Sequence, residues 1–277
     1  MPSWAASTGA SLQVMWATFL RDMITAASYR VGLLLSVGGS LVTIFVVFFL
    51  GRAFGGVAAP DLERYGGSYF GFAVVGVALS NLMALGLTGM SSRIREGQVM
   101  GTLELMLLSP NRLWLLFVSS SLWAHAQALV TVVLFVVAGV ALGADFGDAN
   151  VGMTLLSLAL AVLAFNAFGL FSAAVVIVIK QGNPVALLMS AASVLLAGVF
   201  YPVSVLPDWL RIAGQLLPLT QALEVVRRAA LGGEGIDTLW PRLLALVVLT
   251  SVLMPVGLWC SGKAVEIART DGSLSQY

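Results

Sequence analysis

Four charges interrupt an otherwise apolar part of the chain: Arg93, Arg95, Glu96 and Glu104 lie in Ser91–Pro110, SSRIREGQVMGTLELMLLSP. None of them can enter hydrocarbon without partners, because each would lose its water. The stretch therefore belongs at a water-facing surface. Val99, Met100, Leu103, Met106 and Leu107 recur at helical spacing and form one apolar face. Gly97 and Gly101 loosen the start of this pattern and Pro110 follows its end. The spacing predicts a short amphipathic helix at a membrane surface; an ordinary interhelical loop is the alternative reading.

Groups for other chemistry are scarce. His125 is the only histidine, so neither a paired-histidine site nor a histidine-based metal cage can form. Cys260 is the only cysteine, which excludes an internal disulfide and a thiolate cluster. In its apolar run it reads as a small buried hydrophobe. Gly257–Lys263 spells G-x-x-x-x-G-K, the opening of a phosphate-binding loop, but Ala264 stands where the magnesium-ligating hydroxyl belongs. That run also ends an apolar segment instead of following a strand, so any ATP used must bind on another chain. Asn81, His125, Gln127 and Asn166 fall near the middle of apolar runs. Polar groups at that depth face protein or water. They can line a transport path or bond between helices, the second being the commoner use. No acidic residue shares their depth, which leaves a proton- or sodium-driven relay without a carrier.

The elements that would position these residues follow from composition. The chain has 277 residues, 59% hydrophobic and 10% charged, against about a quarter charged in soluble domains. It is an integral membrane protein. With about 20 apolar residues per span, there is room for about six spans and no sizeable soluble domain. A net charge of +1 gives no argument for nucleic acid. The first twenty residues hold no Lys or Arg and the first long apolar run starts after Arg30, so no cleaved leader is expected. Leu12, Met15, Trp16, Phe19, Leu20, Met23, Ile24 and Ala27 form a stripe at helical spacing, an amphipathic helix suited to the interface plane. Spans are expected at 31–50, 67–90, 113–142, 151–179, 184–201 and 239–259. Arg52–Gly66, with Pro60, Asp61 and Glu63, reads as a polar loop. Asn183 is a candidate cap with Pro184 in the first turn, and Pro255 a candidate kink.

Tyr201–Gly233 breaks the pattern. Pro207 opens a helix that cannot pass Pro218, and Thr220 can cap a second helix that ends at Gly232 and Gly233. Each would be about 15 Å long, half the hydrocarbon thickness. Asp208, Arg211, Glu224, Arg227 and Arg228 reject the hydrocarbon core, and Glu224 and Arg228 are spaced to pair. A half-inserted helical hairpin and a plain amphipathic loop both fit.

Two motifs carry a resemblance. R-x-R-E-G-x-x-x-G-T-L-E-x-x-x-x-S-P, from Arg93 to Pro110, resembles the segment between the second and third spans of type-2 ABC exporter permeases. P-x-x-x-L-P-x-W-L-R…P-L-T…E-x-x-R, which includes Pro207, Trp209, Arg211, Pro218 and Glu224, is similar to their external re-entrant hairpin. The resemblance implies that Arg93, Arg95, Glu96, Gly101, Thr102 and Glu104 belong to a cytoplasmic coupling helix docking on a separate ATPase. It assigns Pro207, Trp209, Arg211, Pro218, Glu224 and Arg228 to the hairpin. The implied fold is all-α, with six transmembrane helices and an N-terminal interface helix on the cytoplasmic leaflet. One permease domain then divides as 1–30, 31–90, 91–112, 113–203, 204–233, 239–261 and a cytoplasmic tail, 262–277. The implied partners are two ABC ATPase subunits, which would hold ATP and Mg, a second copy or sister permease, and the bilayer of a bacterial inner membrane. The implied activity is ATP-driven export of an amphipathic drug, a lipid or a lipid-linked glycan, with no catalysis on this chain. Cations divide nearly evenly between the two faces, so the positive-inside rule sets orientation only weakly, and cytoplasmic termini rest on the resemblance. A passive channel or structural membrane protein would leave the coupling motif unexplained. A membrane-embedded enzyme would need clustered ionisable residues that are absent.

Overall fold

A computed structural model describes residues 8–58, 62, 64–101, 113–179 and 182–270. Among them the regular structure is helical: α1 (Thr8–Ser28), α2 (Arg30–Ala58), α3 (Tyr69–Val99), α4 (Leu113–Ala141), α5 (Val151–Ile179), α6 (Pro184–Leu196), α7 (Asp208–Gln215), α8 (Pro218–Ala230) and α9 (Ile236–Thr270). A membrane leaves backbone groups no water to bond, so helices are the natural solution for these apolar runs. Five helices, α2, α3, α4, α5 and α9, are long and apolar enough to cross a membrane.

α3 is the centre of the bundle. In its apolar stretch 78% of residues are buried, against 11% in α2. Ser68 caps it by accepting from the Gly71 N–H at 3.3 Å. Small residues let neighbours approach its backbone. A Cβ on Gly86 would lie 3.0 Å from the Phe165 Cβ, and one on Gly169 would collide with the Gly86 carbonyl, so α3 and α5 cross in contact. Gly257 does the same for α9 on α5, 2.9 Å from the Ala167 carbonyl.

The bundle has two polar ends. The starts of α3, α5 and α9 meet α8 at one end, where Ala229 accepts from the Asn150 N–H and Val225 packs with Met153 and Leu239. The ends of α3, α5 and α9 meet at the other, where Met90 and Ile94 pack with Ile177 and Val265.

Several expected boundaries move. The expected fifth span is α6, whose 13 residues reach only about 20 Å, short of the roughly 30 Å of hydrocarbon. It stops because Gly198 turns the chain at φ +76°, ahead of Pro202. The surface helix expected from Ser91 does not start there. α3 continues unbroken to Val99, helped by i,i+3 contacts from Arg93 to Glu96 and from Arg95 to Gln98. Gly101, at φ +68°, then turns the chain, and Thr102–Arg112, with Glu104, lies outside the described residues. α2 runs to Ala58, through the first part of the expected polar loop, whose Pro60, Asp61 and Glu63 lie outside the described residues. α9 passes both Pro241 and Pro255 and takes in the expected tail as far as Thr270. Asn183 caps α6 as expected, accepting from the Ala186 N–H at 3.0 Å. α8 opens at Pro218, not Thr220, because proline is already set for the first helical position. The Thr220 hydroxyl instead donates to the Gly214 carbonyl at 2.6 Å.

Candidate functional site

At the C-terminal end of α3, Arg93 is the junction. Its Nη2 lies 2.7 Å from Oδ2 of Asp22 on α1, a close charge contact, and its Nη1 donates to Glu96 at 3.0 Å. Arg21 Nε donates to the other Asp22 oxygen at 3.0 Å. The Asp22 side chain is 1% exposed, and a carboxylate at that depth persists only when paired. Arg93 is therefore engaged within the chain. Glu96 keeps 47% of its side chain exposed, and Val99 and Met100 beside it are exposed too. Asp22 is the residue that sequence reasoning missed. It is the only acid in the first sixty residues, a signal outweighed by its position off the apolar stripe.

Two more ties converge here. Asn183, ahead of α6, donates to Ser91 Oγ at 2.6 Å and accepts from Ser172 Oγ of α5 at 2.8 Å. Gln98, fully buried, points its amide at the Val176 carbonyl of α5 at 3.4 Å. The end of α3 thus gathers α1, α5 and α6 just before the segment holding Thr102 and Glu104.

The mid-bundle polar residues bond along their own helices. Asn81 donates to Val77 O at 3.0 Å and Asn166 to Val162 O at 2.9 Å. His125 Nδ1 meets Ser121 O at 2.7 Å, which assigns the proton to Nδ1, because a carbonyl only accepts. The Gln127 carbonyl accepts from Thr131 at 2.9 Å. Among the described residues, no hydrogen bond from Asn81, His125 or Asn166 crosses to a neighbouring helix, and Asn166 Oδ1 is buried without a partner. Nearby, Met83, Leu87, Phe165, Phe168, Met189 and Ser193 border a small apolar cleft. The Ser193 hydroxyl is spent on Met83 Sδ at 3.6 Å.

The opposite end is built on α8. Arg227 is 3% exposed. Its Nε donates to Phe72 O at 3.1 Å, and its Nη1 and Nη2 donate to Gly198 O and Val199 O, each at 2.7 Å. Its guanidinium carbon lies 3.4 Å from the Phe72 ring centroid. Glu224 accepts from the Tyr65 hydroxyl at 2.6 Å. The expected Glu224–Arg228 pair is loose, at 3.8 Å, because Glu234 captures Arg228 with two bonds of 2.7 and 2.5 Å. Those bonds hold the Glu234 carboxyl below its usual range. On α7, Asp208 and Arg211 pair at 2.5 Å, while Trp209 is 71% exposed and Pro207 precedes the helix. Trp209 and Arg211 therefore stand apart from the buried cluster around Arg227. Sequence reasoning placed Arg227 outside hydrocarbon but not inside protein; the signal was the final position of E-x-x-R.

No group of three His, Cys, Asp or Glu among the described residues can hold a metal. No curated protein matches the chain. A family model described as ABC-2 family transporter protein matches residues 56–259, from the end of α2 well into α9. That span takes in both polar motifs, three of the five long apolar helices whole and most of a fourth, and the chain is therefore a multi-pass membrane permease belonging to the ABC-2 family of transporter proteins.

Proposed function

We propose that this chain is the membrane subunit of an ATP-driven exporter, coupled to its motor through the end of α3. The observation that carries the reading is the convergence of α1, α5 and α6 on the last turns of α3, next to the exposed Glu96. A push on that end is delivered to four helices at once. In this reading the end of α3, α1 and both termini face the cytoplasm of a bacterial cell, and α7 and α8 lie in the outer half of the membrane. α6 starts at the cytoplasmic side and, together with the α7–α8 pair, makes up the sixth crossing. Two ATPase subunits hold ATP and Mg and grip Arg95, Glu96, Gly101, Thr102 and Glu104. Arg93 contributes by holding α1.

Two permease chains, identical or sister, enclose the path between them. Asn81, His125, Gln127 and Asn166 are its candidate polar lining, and an amphipathic drug, a lipid or a lipid-linked glycan is the fitting cargo. Differential docking of the nucleotide-bound and nucleotide-free ATPase states shifts the spans between inward-open and outward-open forms.

The test is mild-detergent purification of the chain from its native membrane. A stoichiometric ATPase with a phosphate-binding loop should accompany it, and Glu96→Ala should insert normally yet retain less of that ATPase. Isolation without an ATPase, even after crosslinking through Ser91–Pro110, would replace the exporter with a passive channel or structural protein.

A further inference from the structure

α6 is fastened to α3 at both of its ends. Where α6 begins, Asn183 Nδ2 donates to Ser91 Oγ at 2.6 Å. Where it finishes, the Gly198 and Val199 carbonyls accept from Arg227, whose Nε also donates to the Phe72 carbonyl of α3. Between the two fastenings Ser193 lies against Met83 at 3.6 Å. Ser91 and Phe72 are about 28 Å apart along α3, and α6 itself is about 20 Å long. α6 is therefore held along nearly its whole length.

The Arg227 fastening is built from several separate stretches of chain. A guanidinium is a rigid planar fork, and here three of its nitrogens each meet a fixed acceptor. Two of those acceptors follow the C-terminus of α6, where the helix dipole is negative. The Phe72 ring face supplies a further attraction. Among the described residues, no carboxylate lies within ion-pair distance of Arg227, so the backbone carbonyls hold the charge. Gly76 makes the room: a Cβ there would collide with the Val199 carbonyl and with Arg227 Nη2. Tyr65 holds Glu224, one turn earlier on α8.

We infer that Arg227 is a positioning residue which, together with Asn183, locks α6 onto α3 so that the two helices travel as one body through the transport cycle. Relative motion then falls on the lipid-facing helices α2, α4 and α9 and between chains. Displacement of the ATPase-side end of α3 reaches α8 without passing through a joint between α3 and α6.

The test uses Met83→Cys with Ser193→Cys in a Cys260→Ala background, joined by a short bis-thiosulfonate reagent. In lipid nanodiscs with the ATPase bound, the bridged permease should support ATP turnover within about twofold of the reduced form. Loss of turnover on bridging, with recovery on reduction, would show that α3 and α6 separate and would overturn the inference. Arg227→Lys keeps the charge but not the fork. It should lower turnover about tenfold, and bridging should restore it, an outcome that a general folding defect would not give. An inserted Arg227→Lys protein that bridging fails to restore would also overturn the lock; if that variant does not insert, the bridged parent decides alone. The turnover arm rests on the exporter reading. Amide exchange at Ala197–Tyr201 does not: it should rise about tenfold in Arg227→Lys with no ATPase present, and unchanged exchange would sink the lock whatever the motor.

Discussion

Glu234 accepts two bonds from Arg228 just beyond the last turn of α8, and these charge-assisted bonds hold its carboxyl below the usual range. A depressed carboxyl contributes stability above its unfolded value and loses it as the pH falls through the folded one. Protection of the Leu231–Ile236 link from amide exchange should therefore persist at neutral pH and decline below about pH 4.3. Glu234→Gln should show lower protection with no such step; a step of equal size in that variant would mean another group titrates. Spacing made Glu224 the expected partner of Arg228, four residues before it. It could not show that Gly233, at φ +65° just past the end of α8, brings Glu234 back within reach. The same limit applies to Arg227. Its charge excludes lipid, yet nothing local to it announces the carbonyls of Phe72, Gly198 and Val199 that accept it.

Among the elements, α6 depends most on one side chain. Asn183 accepts from the Ala186 N–H and Ser172 Oγ and donates to Ser91 Oγ. Loss of a cap costs about 1 kcal/mol, and stranded buried hydroxyls add about 1–3 kcal/mol. Asn183→Ala should lower the melting temperature in detergent by several degrees, measured by differential scanning fluorimetry, and Asn183→Asp by less, because both acceptor roles survive. Equal losses would place the value in the donor to Ser91 alone. The start of α6 was legible because Asn-Pro carries its own mechanism. Its end was not, because Ala197, Val199, Phe200 and Tyr201 continue the apolar run. Only the backbone at Gly198, where a Cβ would crowd the Val203 side chain at 2.7 Å, turns the chain away. α3 hid its length in the opposite way: its charges at Arg93, Arg95 and Glu96 read as a new surface element, yet each finds a partner without breaking the helix.

At the scale of the whole molecule, α1 joins the bundle through the Phe19–Trp123 ring contact with α4 and the Asp22–Arg93 pair. If that pair couples α1 to the motor face, Asp22→Arg or Arg93→Asp alone should cut the co-purifying ATPase about tenfold. The double exchange should recover part of it, tempered by Arg21 and Glu96 beside the new charges. No recovery in an inserted double variant would assign the losses to each residue separately. The family and the five long apolar helices were legible because hydropathy and motif act along the chain. Which helices touch was not, because it depends on matched small residues such as Gly86 and Gly169, distant in sequence and ordinary by themselves.

The grip of Arg227 on Phe72, Gly198 and Val199 also sets an order of manufacture. The ribosome releases all three acceptors before the donor. A nascent chain stopped anywhere in between carries a short apolar helix followed by two carbonyls that still lack the Arg227 donor. α8 thus completes the fastening of α6 to α3 late in synthesis, and α9 follows to pack against α5.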